Sequence, residues 1–196
     1  KRTGKTAWKN DEPGGGFGKK VPGKSGRDIW VGSWSTPIQR KVNGRDELIM
    51  SWPHRVVGLN PLTGKEYWGC KGLNPLVYTS PIYSEGIVVA MGGYSGSAIG
   101  VRAGGKGDVT DTHRLWRHPK TKQRIGSAVI HEGHIYIHND PGVAECFELK
   151  TGKRVWEERL KGSGASGRNW SSMILSDGKL YVNNWSGETF ILAASP

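Results

Sequence analysis

The sequence predicts an all-β protein assembled from repeated four-stranded antiparallel sheets, the architecture of a β-propeller. Composition is the first observation: glycine and tryptophan, at 30 and 9 of 196 residues, are enriched, while a hydrophobic content of 35% argues against disorder and against a helical bundle. Internal repetition is the second: two short phrases alternate along the chain. We therefore expect a turn-rich β protein made of similar units.

The first phrase reads Thr-Gly-Lys-x-x-Trp. It occurs in full at residues 3–8, 63–68 and 151–156, and a degenerate copy occupies 111–116. The interval between its tryptophans falls from 60 to 48 to 40 residues, which is typical of a structural unit with loop insertions. Each phrase predicts a turn and the last strand of a unit. Four tryptophans are expected to dock one sheet on the next: Trp8, Trp68, Trp116 and Trp156.

The second phrase predicts a pair of strands joined by a tight turn. Residues 80–86, 127–133 and 172–178 align without a gap, and residues 36–38 open an earlier copy that ends at the turn Asn43-Gly44. The second strands are apolar enough to be buried on both faces, at 48–52, 87–91, 135–138 and 180–183. Third strands are predicted at 55–59, 97–102, 144–149 and 189–193.

Such a meander cannot bury both of its faces alone, so copies must pack around an axis. We predict a single propeller domain or propeller fragment over residues 1–196, with about four blades. Three are whole, at about 30–70, 76–118 and 124–158, and one is split between 1–8 and 168–196.

The two parts of the split blade are complementary. Residues 3–8 form a fourth strand, and residues 168–196 supply the first three. We expect residues 3–8 to pair with 189–193 within one molecule, or two copies to form a homodimer that closes a larger ring, because an unpaired apolar edge invites association.

The combined unit, with Ser-Pro, a Gly-x-Ile/Leu-Tyr-Val strand and Thr-Gly-Lys-x-x-Trp, resembles the pyrroloquinoline-quinone-type propeller repeat. Quinoprotein alcohol dehydrogenases share this repeat with the outer-membrane-protein assembly lipoprotein of Gram-negative bacteria. The resemblance covers all but about residues 9–29. It implies a β-propeller and a periplasmic or extracellular location in the bacterial envelope.

In those dehydrogenases the quinone lies between a tryptophan and a disulfide of adjacent cysteines, with calcium on acidic and amide side chains. The present sequence has only Cys70 and Cys146, which are not adjacent, and it offers no matching set of calcium ligands. We read both cysteines as small buried apolar residues. We therefore expect no catalytic residue and no cofactor in this chain.

Charge suggests a class of partner without specifying one. The formal net charge is +11 and the pI is about 9.8, which suits an anionic polymer or a protein partner. Basic residues are spread over many turns, however, with local concentrations at 19–24 and 114–124, and we interpret them mainly as solvated loops. No run of about 18 apolar residues exists, and the sequence predicts no transmembrane segment.

Three aromatic residues precede the first strand of a blade: Trp34, Tyr78 and Trp170. Because the first strand of a propeller blade is innermost, these side chains should face the central funnel. There they either stack on a sugar, a planar cofactor or a proline-rich peptide, or close the funnel. Together with Arg168 and Asn169 they are the candidate ligand-binding residues.

His134 and His138 fall on the same face of one strand and are weak candidates for a metal site. The aligned positions in another copy hold Ile87 and Met91, so the fold does not need histidine there. Glycine-rich runs at 92–97 and 104–107 are read as turns rather than phosphate loops, because no helix is expected after either.

Two functions follow from these observations. The first is a non-catalytic binding or scaffolding propeller that recognises a polymer or protein partner through one face. The alternative is a segment of a pyrroloquinoline-quinone-dependent oxidoreductase whose cofactor ligands lie outside these residues. Adjacent cysteines and calcium-ligating carboxylates elsewhere in a longer chain would favour the alternative.

Overall fold

A computed structural model describes residues 4–10, 20–22, 28–94, 96–120, 122–162 and 168–196. Residue 3 of the predicted fourth strand and residue 95 of the glycine-rich run at 92–97 lie outside these residues. Those described contain twenty strands and one four-residue helix, which confirms the all-β class. The elements are β1 (Lys20–Pro22), β2 (Asp28–Trp30), β3 (Gly32–Ser33), β4 (Ile38–Val42), β5 (Arg45–Trp52), β6 (Arg55–Leu59), β7 (Glu66–Lys71), β8 (Leu76–Val77), β9 (Ile82–Ser84), β10 (Ile87–Met91), β11 (Ala98–Arg102), β12 (Gly107–Asp108), α1 (Thr110–His113), β13 (Arg114–His118), β14 (Val129–His131), β15 (His134–Asn139), β16 (Val143–Glu148), β17 (Arg154–Arg159), β18 (Ile174–Ser176), β19 (Lys179–Asn183) and β20 (Thr189–Ala193).

Most strands belong to four consecutive antiparallel meanders, which we call blades. The first blade comprises β4–β7, the second β9, β10, β11 and β13, the third β14–β17, and the last β18–β20. Strands that follow one another in sequence pair with one another in each blade, as the repeat predicts. Two short parallel pairings lie outside the meanders: β12 extends the first blade beside β7, and β3 pairs with β8.

Each hairpin between the first and second strands of a blade turns on two residues with positive φ. In the second blade these are Glu85 (φ 50°) and Gly86 (φ 74°), and in the last blade they are Asp177 (φ 48°) and Gly178 (φ 65°). Positive φ at both central positions is the requirement of the tight turn whose twist matches that of a β-hairpin. The predicted hairpins are therefore confirmed, and they fix the register of the inner strands.

The second strand of a blade is buried on both faces. Every residue of β10 is buried; Val88 and Ala90 belong to the core shared with the first blade, whereas Val89 belongs to the core shared with the third. In β15, Ile137 faces the second blade and Tyr136 packs toward the last. Because side chains alternate across a strand, each apolar second strand supplies two cores at once.

The tryptophan that ends each whole blade lies opposite a small residue of the third strand. Trp68 pairs with Gly58 and Trp116 with Gly100, and a Cβ on Gly100 would come within 2.2 Å of the indole of Trp116. Directly after these pairs the strand register shifts, in both blades alike. The small residue thus leaves the space that the indole occupies.

Contacts between blades also involve these tryptophans. Trp116 Nε1 donates to the carbonyl of Leu149 (2.8 Å), and the indole covers Gly152, in the Thr-Gly-Lys turn of the third blade. Trp156 is half-buried, and its Nε1 donates to the carbonyl of Ser195 (3.1 Å).

Trp68 is arranged differently, although it is fully buried. Its Nε1 donates within its own blade to Oε2 of the buried Glu47 (2.7 Å).

The degenerate copy of the Thr-Gly-Lys-x-x-Trp phrase, at residues 111–116, forms no Thr-Gly-Lys turn. Instead β12 begins at the last residue of the glycine run at 104–107, and the helix α1 follows, which corrects the expectation that no helix follows this run.

The predicted pairing of residues 3–8 with β20 within one molecule is not what the structure shows. Among the described residues β20 pairs with β19 alone, and residues 4–10 contain no strand. Closure between two copies stays a prediction.

Residues 4–10 lie against the first blade instead. Trp8 Nε1 donates to the carbonyl of Pro61 (3.0 Å), and Asn10 Nδ2 donates to that of Gly64 (3.0 Å). The indole of Trp8 also packs against a cluster of apolar side chains on the outer face of this blade, which includes Leu59. Burial of that face holds the segment there.

The contact between Trp116 and Gly152 yields a test. Gly152 has a φ of 69°, and a Cβ there would lie 2.6 Å from the indole of Trp116, whereas a Cβ on Gly178, with a φ of 65°, would meet nothing within 4 Å. Both alanine substitutions strain the backbone, by about 1 kcal/mol, but only Gly152→Ala also forces the blades apart, at a further cost of about 1–3 kcal/mol. Urea denaturation should therefore show a clearly larger loss for Gly152→Ala, and equal losses would contradict this account of the contact.

Candidate functional site

Hydrogen bonds link the blades at the start of their first strands. The Oγ of Ser80 accepts from the backbone N–H of Thr36 (3.1 Å), that of Ser127 from Ser80 (3.0 Å), and that of Ser172 from Ser127 (3.0 Å). In addition, β9 contacts β14, and β14 contacts β18, so the first strands of these neighbouring blades lie side by side. The residue two positions before each linked site occupies what we call an approach position: Trp34, Tyr78, Ile125 and Trp170.

Aromatic residues from the first two approach positions meet in one stack. The rings of Trp34 and Tyr78 lie 4.9 Å apart between centroids at an interplanar angle of 11°, and Tyr94 meets Tyr78 edge-on at 5.4 Å. Trp34 is 58% exposed. Tyr78 lies so close to Gly93 that a Cβ there would come within 2.0 Å of its ring. Burial, and then the neighbouring Tyr94, raises the pKa of Tyr78, so its hydroxyl stays protonated at neutral pH.

A second aromatic group surrounds the approach position of the last blade. Trp170 and Trp185 meet nearly at right angles, with centroids 4.7 Å apart, and both are about half exposed. The guanidinium of Arg168 lies 5.3 Å from the ring centre of Trp185, within range of a cation–π interaction. Of the predicted ligand-binding residues, Arg168 and Trp170 are thus brought together at the surface.

Asn169 lies beneath this surface rather than in it. It is 1% exposed, its Nδ2 donates to the carbonyl of His138 (3.1 Å), and its Oδ1 accepts from the hydroxyl of Ser171 (2.8 Å). These hydrogen bonds connect the approach segment of the last blade to the third blade. Asn169 therefore positions its neighbours and offers no side-chain atom to a ligand.

Sequence reasoning missed Tyr94 and Trp185. Both follow the second strand of a blade by two or three residues, Tyr94 after β10 and Trp185 after β19. Because the second strand runs back toward the start of the first, a turn at this end lies beside the approach position. An aromatic residue shortly after the second strand was the available signal. We refer to Trp34, Tyr78, Tyr94, Trp170 and Trp185 together as the aromatic surface.

The two cysteines lie in different blades, and both are buried. Cys70 lies in β7 and Cys146 in β16; both are free, and burial raises the pKa of each thiol to about 11. In this part of the chain no group of three His, Cys, Asp or Glu side chains is placed to hold a metal ion. His138 is buried, whereas the Nδ1 of His134 lies 2.9 Å from the carbonyl of Glu132.

The consecutive meanders, packed face to face and linked at their first strands, define a β-propeller. The model of the family of outer membrane protein assembly factor BamB matches residues 1–195, and the chain belongs to that family. No curated protein matches the chain. Within the described residues, no helix is long and apolar enough to cross a membrane.

Solved structures of low identity share the fold. BamB from Moraxella catarrhalis is 14% identical with a TM-score of 0.58, over 82% of this chain and 47% of that one, so the chain spans about half of its length. Quinohemoprotein alcohol dehydrogenase ADHIIG from Pseudomonas putida HK5 is 14% identical with a TM-score of 0.59, over 84% and 33%. The computationally designed Ika4 protein is 11% identical with a TM-score of 0.60, over 82% and 92%.

The buried histidine beneath the approach segment makes stability depend on pH. His138 is 2% exposed, and burial lowers its pKa. The pKa of His118 is also lowered, mainly by burial and to a smaller extent by the positive charge of Arg124. Since the unfolded chain takes up these protons near pH 6.5 and the folded chain resists them, stability is fully present above about pH 6.5 and is lost as the pH falls.

We therefore expect the free energy of unfolding to fall between pH 7 and pH 5, and His138→Met to reduce that fall. Methionine is the residue at the aligned position of the second blade, Met91, where it is buried. Urea denaturation across this pH range provides the measurement. A pH dependence unchanged in His138→Met would show that His138 does not contribute to it.

Proposed function

We propose that this protein is a non-catalytic binding propeller that holds a protein partner of outer membrane assembly through its aromatic surface. The location that goes with this function is the periplasmic side of the bacterial outer membrane. Membership of the assembly-factor family supports the class of partner. The observation that carries the proposal is the exposed aromatic surface itself, at one end of the first strands.

The exposure of these rings favours an interface. Trp34, Trp170 and Trp185 are 58%, 44% and 50% exposed, although tryptophan is a residue that folded proteins usually cover. Large aromatic residues are enriched where proteins bind one another, and they contribute much of the affinity there.

Pre-existing contacts make the surface suitable for binding. The stack of Trp34 on Tyr78 and the edge contact of Trp170 with Trp185 hold the rings in place before any partner arrives. A partner therefore loses little side-chain entropy by covering them. The proposal requires no cofactor, since recognition rests on apolar area and on the cation of Arg168.

Site-specific photocrosslinking can test this proposal. A photoreactive phenylalanine at Trp34 or Trp185 should form adducts with outer membrane assembly proteins in a Gram-negative envelope extract, identified by mass spectrometry. Asp177 is a suitable control, because its exposed turn lies at the other end of a first strand. We expect at least fivefold more adduct from the aromatic positions, and equal yields at Asp177 would contradict the proposal.

The affinity for the identified protein completes the test. Trp34→Ala with Trp170→Ala removes two exposed rings, so the fold should be retained while the affinity falls at least tenfold. Asp177→Ala should leave the affinity unchanged. An unchanged affinity in the double variant would show that the partner binds elsewhere.

A further inference from the structure

A cleft of about 630 Å³ lies between the outer strand of the second blade and the third blade. None of its lining residues belongs to the aromatic surface. The second blade and the segment after it supply His118, Pro119, Lys120 and Lys122; the third supplies Glu145, Phe147, Gly152, Lys153 and Arg154. The floor is aromatic, because the ring of Phe147 lies 5.5 Å from that of His118.

Positive charge exceeds negative charge around this cleft. Lys122 Nζ lies 2.8 Å from Glu157 Oε2 and 3.3 Å from Glu145 Oε1, and Arg154 contacts the same two carboxylates. The ammonium groups of Lys120 and Lys153 have no ion-pair partner in the described part of the chain. Two lysines at the opening are therefore available to a ligand.

A buried cation behind the floor adds to this potential. Arg124 is 1% exposed, and its Cζ lies 5.4 Å from the ring centre of Phe147. Its Nε donates to Asn139 Oδ1 (3.1 Å), but neither terminal nitrogen makes a hydrogen bond within the described residues. Burial lowers the pKa of Arg124 to about 10, so it remains charged at neutral pH.

The carboxylate beside Arg124 does not neutralise the site. Glu145 Oε2 lies 3.5 Å from Arg124 Nη2, while the other oxygen of the same carboxylate faces Lys122 and Arg154. The single negative charge of Glu145 is thus shared by three cations, Arg124, Lys122 and Arg154. A charge held in a poorly solvated interior is weakly screened. The excess positive charge of Arg124 and its neighbours therefore raises the electrostatic potential in the cleft.

The contacts already made in the cleft indicate which anion it takes. Lys122 and Arg154 bind the carboxylate of Glu157, a side chain on β17, which shows that the cations of this lining pair with carboxylates. Lys120 and Lys153 can bind a second carboxylate in the same way. A nucleic acid or another dense polyanion is disfavoured, since the fixed carboxylates of Glu145 and Glu157 interrupt the cationic lining.

The geometry points to a docking site for a short acidic peptide segment, in which Asp or Glu alternates with an apolar residue, at the cleft between the second and third blades. The carboxylates bind Lys120 and Lys153, and the apolar side chain lies on Pro119 and His118, above the largely buried ring of Phe147. This inference rests on the proposed function in taking a protein as the partner, but it involves different residues.

Fluorescence anisotropy with a fluorescein-labelled peptide of alternating Glu and Leu tests the assignment. Lys120→Glu with Lys153→Glu should weaken binding at least tenfold. Lys41→Glu with Lys106→Glu is the matched control, because both lysines are exposed and the change in net charge is the same. The control should change the dissociation constant less than twofold, and unchanged thermal melting would show that both pairs fold.

Several results would overturn the inference. One is the absence of binding to the unaltered protein, and another is an equal loss in both lysine pairs, which would mean attraction to the net charge alone. The third is displacement of the peptide by a single-stranded RNA of equal charge at a lower concentration than the unlabelled peptide requires.

The aromatic variant separates this inference from the proposed function. Trp34→Ala with Trp170→Ala should bind the peptide as the unaltered protein does, because neither residue lines the cleft. Loss of peptide binding in that variant, with retention in Lys120→Glu/Lys153→Glu, would move the peptide to the aromatic surface. The proposed function would then stand without the cleft.

Discussion

The whole structure depends on one constraint: a sheet whose two faces are both apolar must be covered on both. The repeat creates this condition, because its second strand carries apolar side chains on both faces, and in β10 every residue is apolar and buried. In β10 alternate residues enter two different cores, and β15 does the same for the next pair of blades. The order of blades along the chain therefore becomes their order in space, since each can be buried only by the sheets before and after it.

Where the blades touch, large aromatic residues lie against positions that cannot carry a side chain. Trp116 covers Gly152 between blades and faces Gly100 within its own, so the tryptophan and the two glycines form one unit of the fold. Polar contacts follow the same seams, as in the hydrogen bond from Ser127 to Ser172. Two features are not used in these contacts between blades and remain available for binding. They are the aromatic surface at the approach positions and the cationic cleft between the second and third blades.

The sequence predicted the fold closely, because turn chemistry and strand composition are local. Glu85-Gly86 predicts its hairpin because the turn requires residues that tolerate positive φ at both positions. The arrangement of residues 104–113 could not be predicted, because a degenerate phrase no longer specifies its turn. Tyr94 and Trp185 were missed because their role arises only when neighbouring turns come together. The buried Arg124 was missed for a related reason: in the sequence it ends a basic run that reads as solvated loop, and only packing against Phe147 and Glu145 makes it internal.

Hydrogen–deuterium exchange of the intact chain tests the central claim that each blade is stabilised by the blades that cover it. Exchange should be slowest in β10 and β15, whose sheets are covered on both sides. It should be markedly faster in β20, whose Ile191 is 60% exposed and which pairs with β19 alone among the described residues. Protection in β20 equal to that in β10 would show that the sheets are stable without their neighbours, and would contradict the account.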